Sequence, residues 1–459
     1  MFMIAENNQI ITQILDLLSK ESIISHLRKD LFTLVIDVQK LTDELARNII
    51  RTVLEVLDRS LVESEQRKKN WTIQRRRQPK TIATSLGPIT YERTYFRNRH
   101  TGEYAHLVDD QIGITPHQRA SLDLQIKMIK SAIERSYQKT ADQYEHTGIT
   151  SKTTVMNYVH RLGNIESSEC PIPEKRVVKH LFIEADEDHV ATQRNGNQQL
   201  KLIYVHEGRW KVGKKRNQLL HPRYFTGFYR GRPDELWYEV LTYLDAAYDL
   251  DQVEEISLSG DGAPWIKTGL GVIPGCKYYL DRFHLEKYIK RAVAPIEAVR
   301  GAKGDYYWKV KDSLSLGDKK EFEILMDSLM GYGVTKSMEE AVQESKIYIL
   351  NNWEGIQNSL ETGYQGCSAE GHVSHVLSSR LSSRPMGWSM KGAEHIARLK
   401  VFELNKGDHM DYFKAKSQTE RKESRLVKLE KRILRKNSKY VVKEGSISYA
   451  TPHFSWYKA

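Results

Sequence analysis

Cysteine is scarce in this sequence of 459 residues: Cys170, Cys276 and Cys367 are far apart, odd in number and in no C-x-x-C spacing. That argues against both a disulfide framework and a cysteine zinc site. No stretch approaches the roughly 18 unbroken apolar residues needed to cross a bilayer. The N-terminus, MFMIAENNQIITQ, lacks the basic start and apolar core of a secretory signal. Acid is the minority charge: 59 Asp and Glu against 70 Lys and Arg leave a net charge of +11. That excess points to a polyanionic partner, nucleic acid first. With 40% hydrophobic and 28% charged residues, the chain has a globular balance rather than a disordered one. The expectation is a soluble, cytoplasmic, multidomain protein with no membrane partner.

Composition divides the chain. Residues 1–65 contain neither Pro nor Gly and carry Ile10, Ile14, Leu17 and Leu18, then Ile49, Val53, Leu57 and Leu61, at helical spacing. This predicts an N-terminal region of long helices. From Arg67 to Lys80 the chain reads RKKNWTIQRRRQPK, with seven basic residues and no acid. The next stretch, TIATSLGPITYERTYFRNRHTGEY, alternates Thr, Ile, Tyr and Phe with polar residues. It predicts a β-hairpin turning at Gly87-Pro88. Residues 66–115 are thus a basic hairpin region. Its basic run is either a solvated linker or, with Trp71, Tyr91, Tyr95 and Phe96 beside Arg75, Arg76 and Arg77, a phosphate-gripping surface.

Residues 116–170 are helical again. A short helix from Ser136, a turn with glycine at its centre (His146-Thr-Gly-Ile-Thr), and a second helix opening at Ser151 and burying Val155, Tyr158 and Val159 make a helix-turn-helix pattern. In that motif the start of the second helix faces the major groove. Here that places Ser151, Lys152, Thr153 and Thr154 on DNA, with Asn157 and Arg161 farther along.

After Pro171 and Pro173 the pattern becomes α/β. Val177 to Ala185, Leu200 to His206, Arg223 to Tyr229, Glu255 to Ser259 and Lys277 to Leu280 read as strands, with a hairpin turn at Asn195-Gly196. Helices are expected from Pro233 and from Ala263 to Leu270. The order βββαβαβα predicts a mixed five-stranded sheet covered by helices, the ribonuclease H-like order, over 175–290 and 366–405. Residues 291–365 are polar and helical in period, with Trp308, Phe322, Leu325, Leu329 and Trp353 as candidate core, and are read as a helical insertion. Residues 406–459 form a basic tail, either on DNA or a plain exposed helix.

The first strand ends in Leu181-Phe-Ile-Glu-Ala-Asp-Glu-Asp-His-Val, with four acids in five positions. Such crowding is costly unless something cationic neutralises it. The fourth ends in Ile256-Ser-Leu-Ser-Gly-Asp-Gly-Ala-Pro-Trp, with Asp261 between two glycines. In this strand order Asp186 and Asp261 sit side by side. Converging carboxylates without Cys or a regular His pair favour Mg²⁺, with Mn²⁺ as substitute. Glu370, opening a helix that runs into Val373 and Leu377, is the candidate third acid. Asp188 shares a sheet face with Asp186 and remains an alternative first acid. His284 is a candidate for positioning a phosphate or carrying a proton, with His372 and His375 behind it.

The blocks IEADEDHV, SGDGAPWIKTGL, YYLDRFHLEKYI and SAEGHVSHVLSSR together resemble the ISLre family of bacterial insertion-sequence transposases, within the DDE superfamily. The likeness spans nearly the whole chain, including TSLGPITYERTYFRN and the helix-turn-helix. Asp281 to His284 is similar to the D-x-x-H motif that several insertion-sequence families place after the fifth strand. The resemblance implies a ribonuclease H-like catalytic domain, binding of terminal inverted repeats, and metal-dependent cleavage and strand transfer by Asp186, Asp261 and Glu370. It also implies double-stranded DNA as partner, at element ends and target, and a homo-oligomeric synaptic complex. Two other readings stand beside it: a stand-alone nuclease on the same fold, and a DNA-binding regulator whose acids are inactive.

Overall fold

The computed structural model describes residue 12 and residues 30–441 apart from 163, 164, 214, 215, 362 and 385. Ile10, Ile14, Leu17 and Leu18 lie outside the described residues. The chain divides between Gly407 and Asp408 into two compact units. In the second, His409–Val441 is one helix that exposes Leu426, Val427, Ile433 and Leu434. Among the described residues no helix is long and apolar enough to cross a membrane.

The first long element described in the first unit is the helix Leu31–Glu63, whose N-cap Asp30 accepts the Thr33 N–H at 3.0 Å. Its C-terminal half lies on a hairpin, β1 (Trp71–Thr84) and β2 (Gly87–Asn98), to which β3 (Tyr104–Ala105) adds. Leu54, Leu57 and Leu61 of the helix pack on Ile82, Ile89, Tyr91 and Val108. Ile49 and Val53 are exposed, because the hairpin covers only part of that apolar stripe. The hairpin turns at Ser85-Leu86, not at Gly87-Pro88: Gly87 pairs with Thr84 and Pro88 with Ala83. Proline is tolerated there because it is the second residue of its strand, beside the turn, where a missing N–H costs little. The basic run is no linker. Glu65–Asn70 is a short helix and Trp71 onward is β1 itself. Register shifts on either side of Arg75, which pairs with Tyr95, leave Arg76 and Arg77 bulged out of the ladder; all three arginines are exposed and Arg77 lies at φ +52°.

The helix-turn-helix segment folds as Tyr137–Gln143, a 3₁₀ turn at Glu145–Thr147, Gly148 at φ +81°, and Lys152–Leu162. Val155, Val159 and Leu162 are buried, and the helix packs on Leu122–Glu134 and Met390–Leu404. Ser151, Lys152, Thr153, Asn157 and Arg161 are exposed, and Thr154 is half-buried.

The central sheet contains β4 (His180–Thr192), β5 (Gly196–His206), β8 (Arg223–Gly227), β9 (Glu255–Gly260) and β10 (Cys276–Leu280). Between β5 and β8 the chain makes a separate two-stranded hairpin, β6 (Arg209–Gly213) and β7 (Arg216–Leu219). The sheet order is β10-β9-β4-β5-β8. β5 runs antiparallel to both β4 and β8, and β9 and β10 run parallel to β4. The helices Pro233–Ala247 and Pro264–Val272 precede β9 and β10. β4 is longer than its apolar run suggests: the acids lie inside the strand, because pairing with β5 continues to Thr192↔Gly196. Leu181, Ile183 and Ala185 join one core with Leu236, Trp237, Val240 and Leu244. Alternation therefore puts Glu184, Asp186 and Asp188 on the opposite face, where the helix Ala369–Val373 packs.

Residues 282–360 form five helices, Arg282–Arg300, Asp305–Leu316, Lys319–Gly331, Lys336–Asn351 and Trp353–Leu360, with no strand among the described residues. Their buried Val310, Phe322, Leu329, Ile349 and Ile356 continue the core of the sheet. Trp308 is 62% exposed, because its helix turns Val310 and Leu314 inward and Trp308 falls off that stripe. Gly355 seats the last helix on β10: a Cβ there would lie 2.4 Å from the Tyr278 ring and 3.2 Å from the Leu280 backbone nitrogen. Gly355→Ala should destabilise the chain by about 1–3 kcal/mol. Gly271→Ala, in a helix where nothing lies within 4 Å, should be neutral or stabilising by up to about 1 kcal/mol. Urea melts of the two variants check this; equal behaviour would remove the close-packing account.

Candidate active site

The four acids of β4 meet four different environments. Glu184 is 2% exposed and bonded on every side. Its Oε1 lies 3.0 Å from His206 Nε2 and 2.6 Å from Arg209 Nη2. Its Oε2 accepts the Tyr204 hydroxyl, the Ser368 N–H (both 2.5 Å) and the Ser368 hydroxyl at 3.0 Å. Burial opposes ionisation, but His206, Arg209 and Tyr204 outweigh it and hold the carboxyl well below the usual carboxylate range. Glu187 points the other way, accepting Trp265 Nε1 at 2.6 Å and Gln199 Nε2 at 3.0 Å. Asp188 is buried; Oδ1 accepts the Ser382 hydroxyl at 2.8 Å, and Oδ2 has no hydrogen-bond partner.

Asp186 accepts the backbone N–H of Glu187 at 2.8 Å. Burial pushes its carboxyl up to about 7, with the charge of Asp261 adding to the effect and His284 opposing it. The strand register explains the meeting with Asp261. Glu184 is opposite Ser259, so the next residues of both parallel strands run out together. Gly260 permits this approach, since a Cβ there would lie 2.9 Å from the Ala185 carbonyl oxygen.

The turn holding Asp261 is fastened from two directions. Asp261 Oδ1 accepts the Ala263 N–H at 2.9 Å, and its carbonyl accepts the Tyr348 hydroxyl at 2.5 Å. Gly262 sits at φ +88°, and a Cβ there would lie 2.4 Å from Asn352 Oδ1. Tyr348 and Asn352 both come from the helical segment after β10, whose contribution to this turn has no local signal in the sequence. Asp281 caps the helix Arg282–Arg300 through the Phe283 N–H (3.0 Å) and lies 3.1 Å from His284 Nδ1. That contact, with the charges of Asp261, Asp281 and Asp186, raises the His284 pKa against the effect of burial. The D-x-x-H spacing is thus a helix cap that aims an imidazole at the carboxylate pair.

The structure brings Asp186, Asp261 and His284 together. Glu370 is exposed in the first turn of Ala369–Val373. Among the described residues no three His, Cys, Asp or Glu side chains are arranged to hold a metal ion, so the expected triad is not assembled as a ligand set. The helix expected through Leu377 changes to a π-helix over Ser374–Ser378. His372 Nδ1 lies 3.2 Å from the Tyr224 hydroxyl, its ring 4.4 Å from that of Tyr204. His375 is exposed. What sequence reasoning missed is Glu184. Its partners are 20 to 184 residues away, and no local pattern separates it from its acidic neighbours.

Glu184→Ala leaves Arg209 and His206 facing a cavity and should cost about 3–5 kcal/mol, with Glu184→Gln milder. Denaturant unfolding measures both; an unchanged midpoint for the alanine variant would contradict the network. Asp186 gives a pH effect of opposite sign. Its folded pKa is raised from 3.8 to about 7, so its contribution to stability is complete at low pH and is lost as pH rises through about 7. Asp186→Asn stays neutral throughout. In EDTA it should match the wild type near pH 4 and exceed it by about 1–4 kcal/mol above pH 7. Parallel melts at the two pH values decide it.

The family described as Uncharacterised protein family (UPF0236) matches residues 29–421. A UPF0236 protein of Caldanaerobacter subterraneus subsp. tengcongensis, whose name joins eleven locus designations, is 39% identical over 376 residues, 82% of this chain and 78% of the relative. Another from that organism, whose name joins four, has the same identity and coverage. The UPF0236 protein in vanSb 3'region of Streptococcus gallolyticus is 28% identical over 411 residues, 86% of each chain. With a match over most of its length, the chain belongs to the UPF0236 family.

Proposed function

We propose that this protein is a DNA transposase of an insertion sequence, binding element ends and cleaving and joining strands with Asp186, Asp261 and Glu370. The observation that carries the reading is the meeting of Asp186 and Asp261 at one end of adjacent parallel strands, with Asp186 pushed up to about 7. The sheet order and strand directions support a ribonuclease H-like catalytic fold. The exposed Arg75, Arg76 and Arg77 and the exposed start of Lys152–Leu162 support phosphate and groove contacts. A relative whose name joins eleven locus designations in one organism fits a gene that multiplies within a genome. The work would be done in the cytoplasm, on the nucleoid.

Two half-buried carboxylates whose mutual repulsion is opposed by a single imidazole suit a hard divalent cation, Mg²⁺ or Mn²⁺. Asp186 and Asp261 would hold it, and Glu370, exposed on the short helix after Ser368, would complete the set. Bound there, the ion would supply activation of an attacking hydroxyl and stabilisation of the leaving oxygen of a phosphodiester. Asp281 keeps His284 oriented and more readily protonated, so the imidazole can hold a scissile phosphate or carry a proton. Tyr348 and Asn352 fix the Asp261 turn, and the Glu184 network fixes the start of the Glu370 helix.

Labelled end DNA and full-length protein test the reading. Asp186→Ala, Asp261→Ala and Glu370→Ala should each lower cleavage by several orders of magnitude while binding, measured in parallel, stays within about twofold. Asp188→Ala should be milder. Mn²⁺ should raise the melting temperature of the wild type above pH 7 and leave Asp186→Asn unmoved. Full cleavage by Asp261→Ala would overturn the mechanism. Cleavage without joined product would reassign the protein as a nuclease, and binding without cleavage by the wild type as a regulator.

A further inference from the structure

The hairpin β6–β7 belongs to no sequence expectation and stands outside the five-stranded sheet. Its stem is closed by Glu207 N–H to the Leu220 carbonyl (3.0 Å) and Leu220 N–H to the Gly208 carbonyl (2.9 Å). Arg209, its first residue, turns inward. Besides the Glu184 contact, its guanidinium donates to the carbonyls of Gln365 (2.8 Å) and Gly366 (3.0 Å). The hairpin is therefore anchored on the segment that leads into Glu370. Alternation sends the next residue the other way. Trp210 is 64% exposed, and Val212, where the ladder bulges, is 53% exposed. Lys211 is exposed as well. The two strands, RWKVG and RNQL, contain no acid.

A large indole held in water on a two-stranded arm is costly to solvate, and a flanking charge of one sign selects what covers it. We propose that β6–β7 is a contact for an unpaired DNA strand, with Trp210 stacking on a base and the basic, acid-free strands of the hairpin favouring the adjoining phosphates. The inference rests on the transposase reading and adds a site to it: strands separated or nicked near the carboxylates would pass over an arm tied by Arg209 to the third acid's segment. Stacking suits this partner because every base offers a π-face, and a base freed from its pair has that face available.

The test uses the full-length chain and labelled DNA in two forms, a duplex with a single-stranded tail and the same duplex blunt. Trp210→Ala should weaken binding of the tailed duplex about 5- to 100-fold, with a smaller loss on the blunt one, and Trp210→Phe should recover most of it. The melting temperature should not move, since the side chain is mostly in water. Equal tailed-duplex binding by wild type and Trp210→Ala overturns the proposal, and so does an equal loss on both duplexes. If Trp210→Ala instead changes the sedimenting mass with DNA binding intact, the hairpin joins copies of the chain and the proposal fails. A wild type that binds neither duplex overturns the transposase reading along with it. A wild type that binds and cleaves, with Trp210→Ala its equal, overturns only the hairpin's role.

Discussion

Removing Glu184 from water commits the surrounding chain to compensate it, and the compensation comes from three separate pieces. Tyr204 and His206 reach it from the adjacent strand, Arg209 from the base of the β6–β7 hairpin, and Ser368 from the far side of the helical segment. A buried charge that loses its partners costs several kcal/mol, so these pieces are not free to drift independently. The arginine is neutralised where it enters, and its Nη1 and Nη2 groups also donate to the carbonyls of Gln365 and Gly366. The consequence reaches the site. Ser368 is two residues from Glu370, so the segment carrying the proposed third acid is tethered to the strand that carries Asp186.

The helical segment between β10 and Glu370 acts on the other member of the pair. Tyr348 donates to the Asp261 carbonyl while its ring stacks on Tyr288 at 3.7 Å. Asn352 fills the space that the missing side chain of Gly262 leaves, and Gly355 lets the following helix press against Tyr278. Insertion is a fair description of its place in the sequence, but its apolar residues are continuous with the sheet's own core. The helix-turn-helix is bound in the same way. Buried Arg380 donates to the Ala132 carbonyl at 3.0 Å and Arg398 to that of Ile165 at 3.2 Å. Segments that a linear reading separates are therefore packed into one unit, through which a change at the exposed start of Lys152–Leu162 has a physical route to the sheet.

Legibility followed the strength of local pattern. The strands around Ile183, Val205, Phe225 and Leu258 were readable because branched and aromatic residues alternate or run together there. Asp261 and His284 were readable because glycine and capping residues mark the turns that carry them. The arginine-rich part of β1 was not, since three consecutive arginines have no period of two and only pairing with β2 makes them a strand. β6 and β7 were missed for the same reason: RWKVG and RNQL carry too few apolar residues to announce a sheet. The end of β4 was hidden by its acids, which read as a loop until the β5 ladder is seen to continue past them. Glu184 was illegible in principle, because its environment is assembled by contacts across up to 184 residues.

The division of labour among the β4 acids follows from that assembly. Four carboxylates so close in sequence cannot all remain charged and unpartnered at tolerable cost. Alternation first sends Glu187 to the opposite face, where Trp265 receives it. Tertiary contacts then satisfy Glu184 fully and Asp188 through one oxygen. Asp186 is left against Asp261, with its own burial working against its charge. A chain selected only for stability would put an apolar or amide side chain at this position, as nothing in the fold requires a carboxylate there. Local rules are broken without compensation chiefly at functional sites. For the proposed chemistry this favours Asp186 over Asp188 as first acid: each accepts one hydrogen bond, from the Glu187 N–H and the Ser382 hydroxyl, and Asp186 also faces the carboxylate of Asp261.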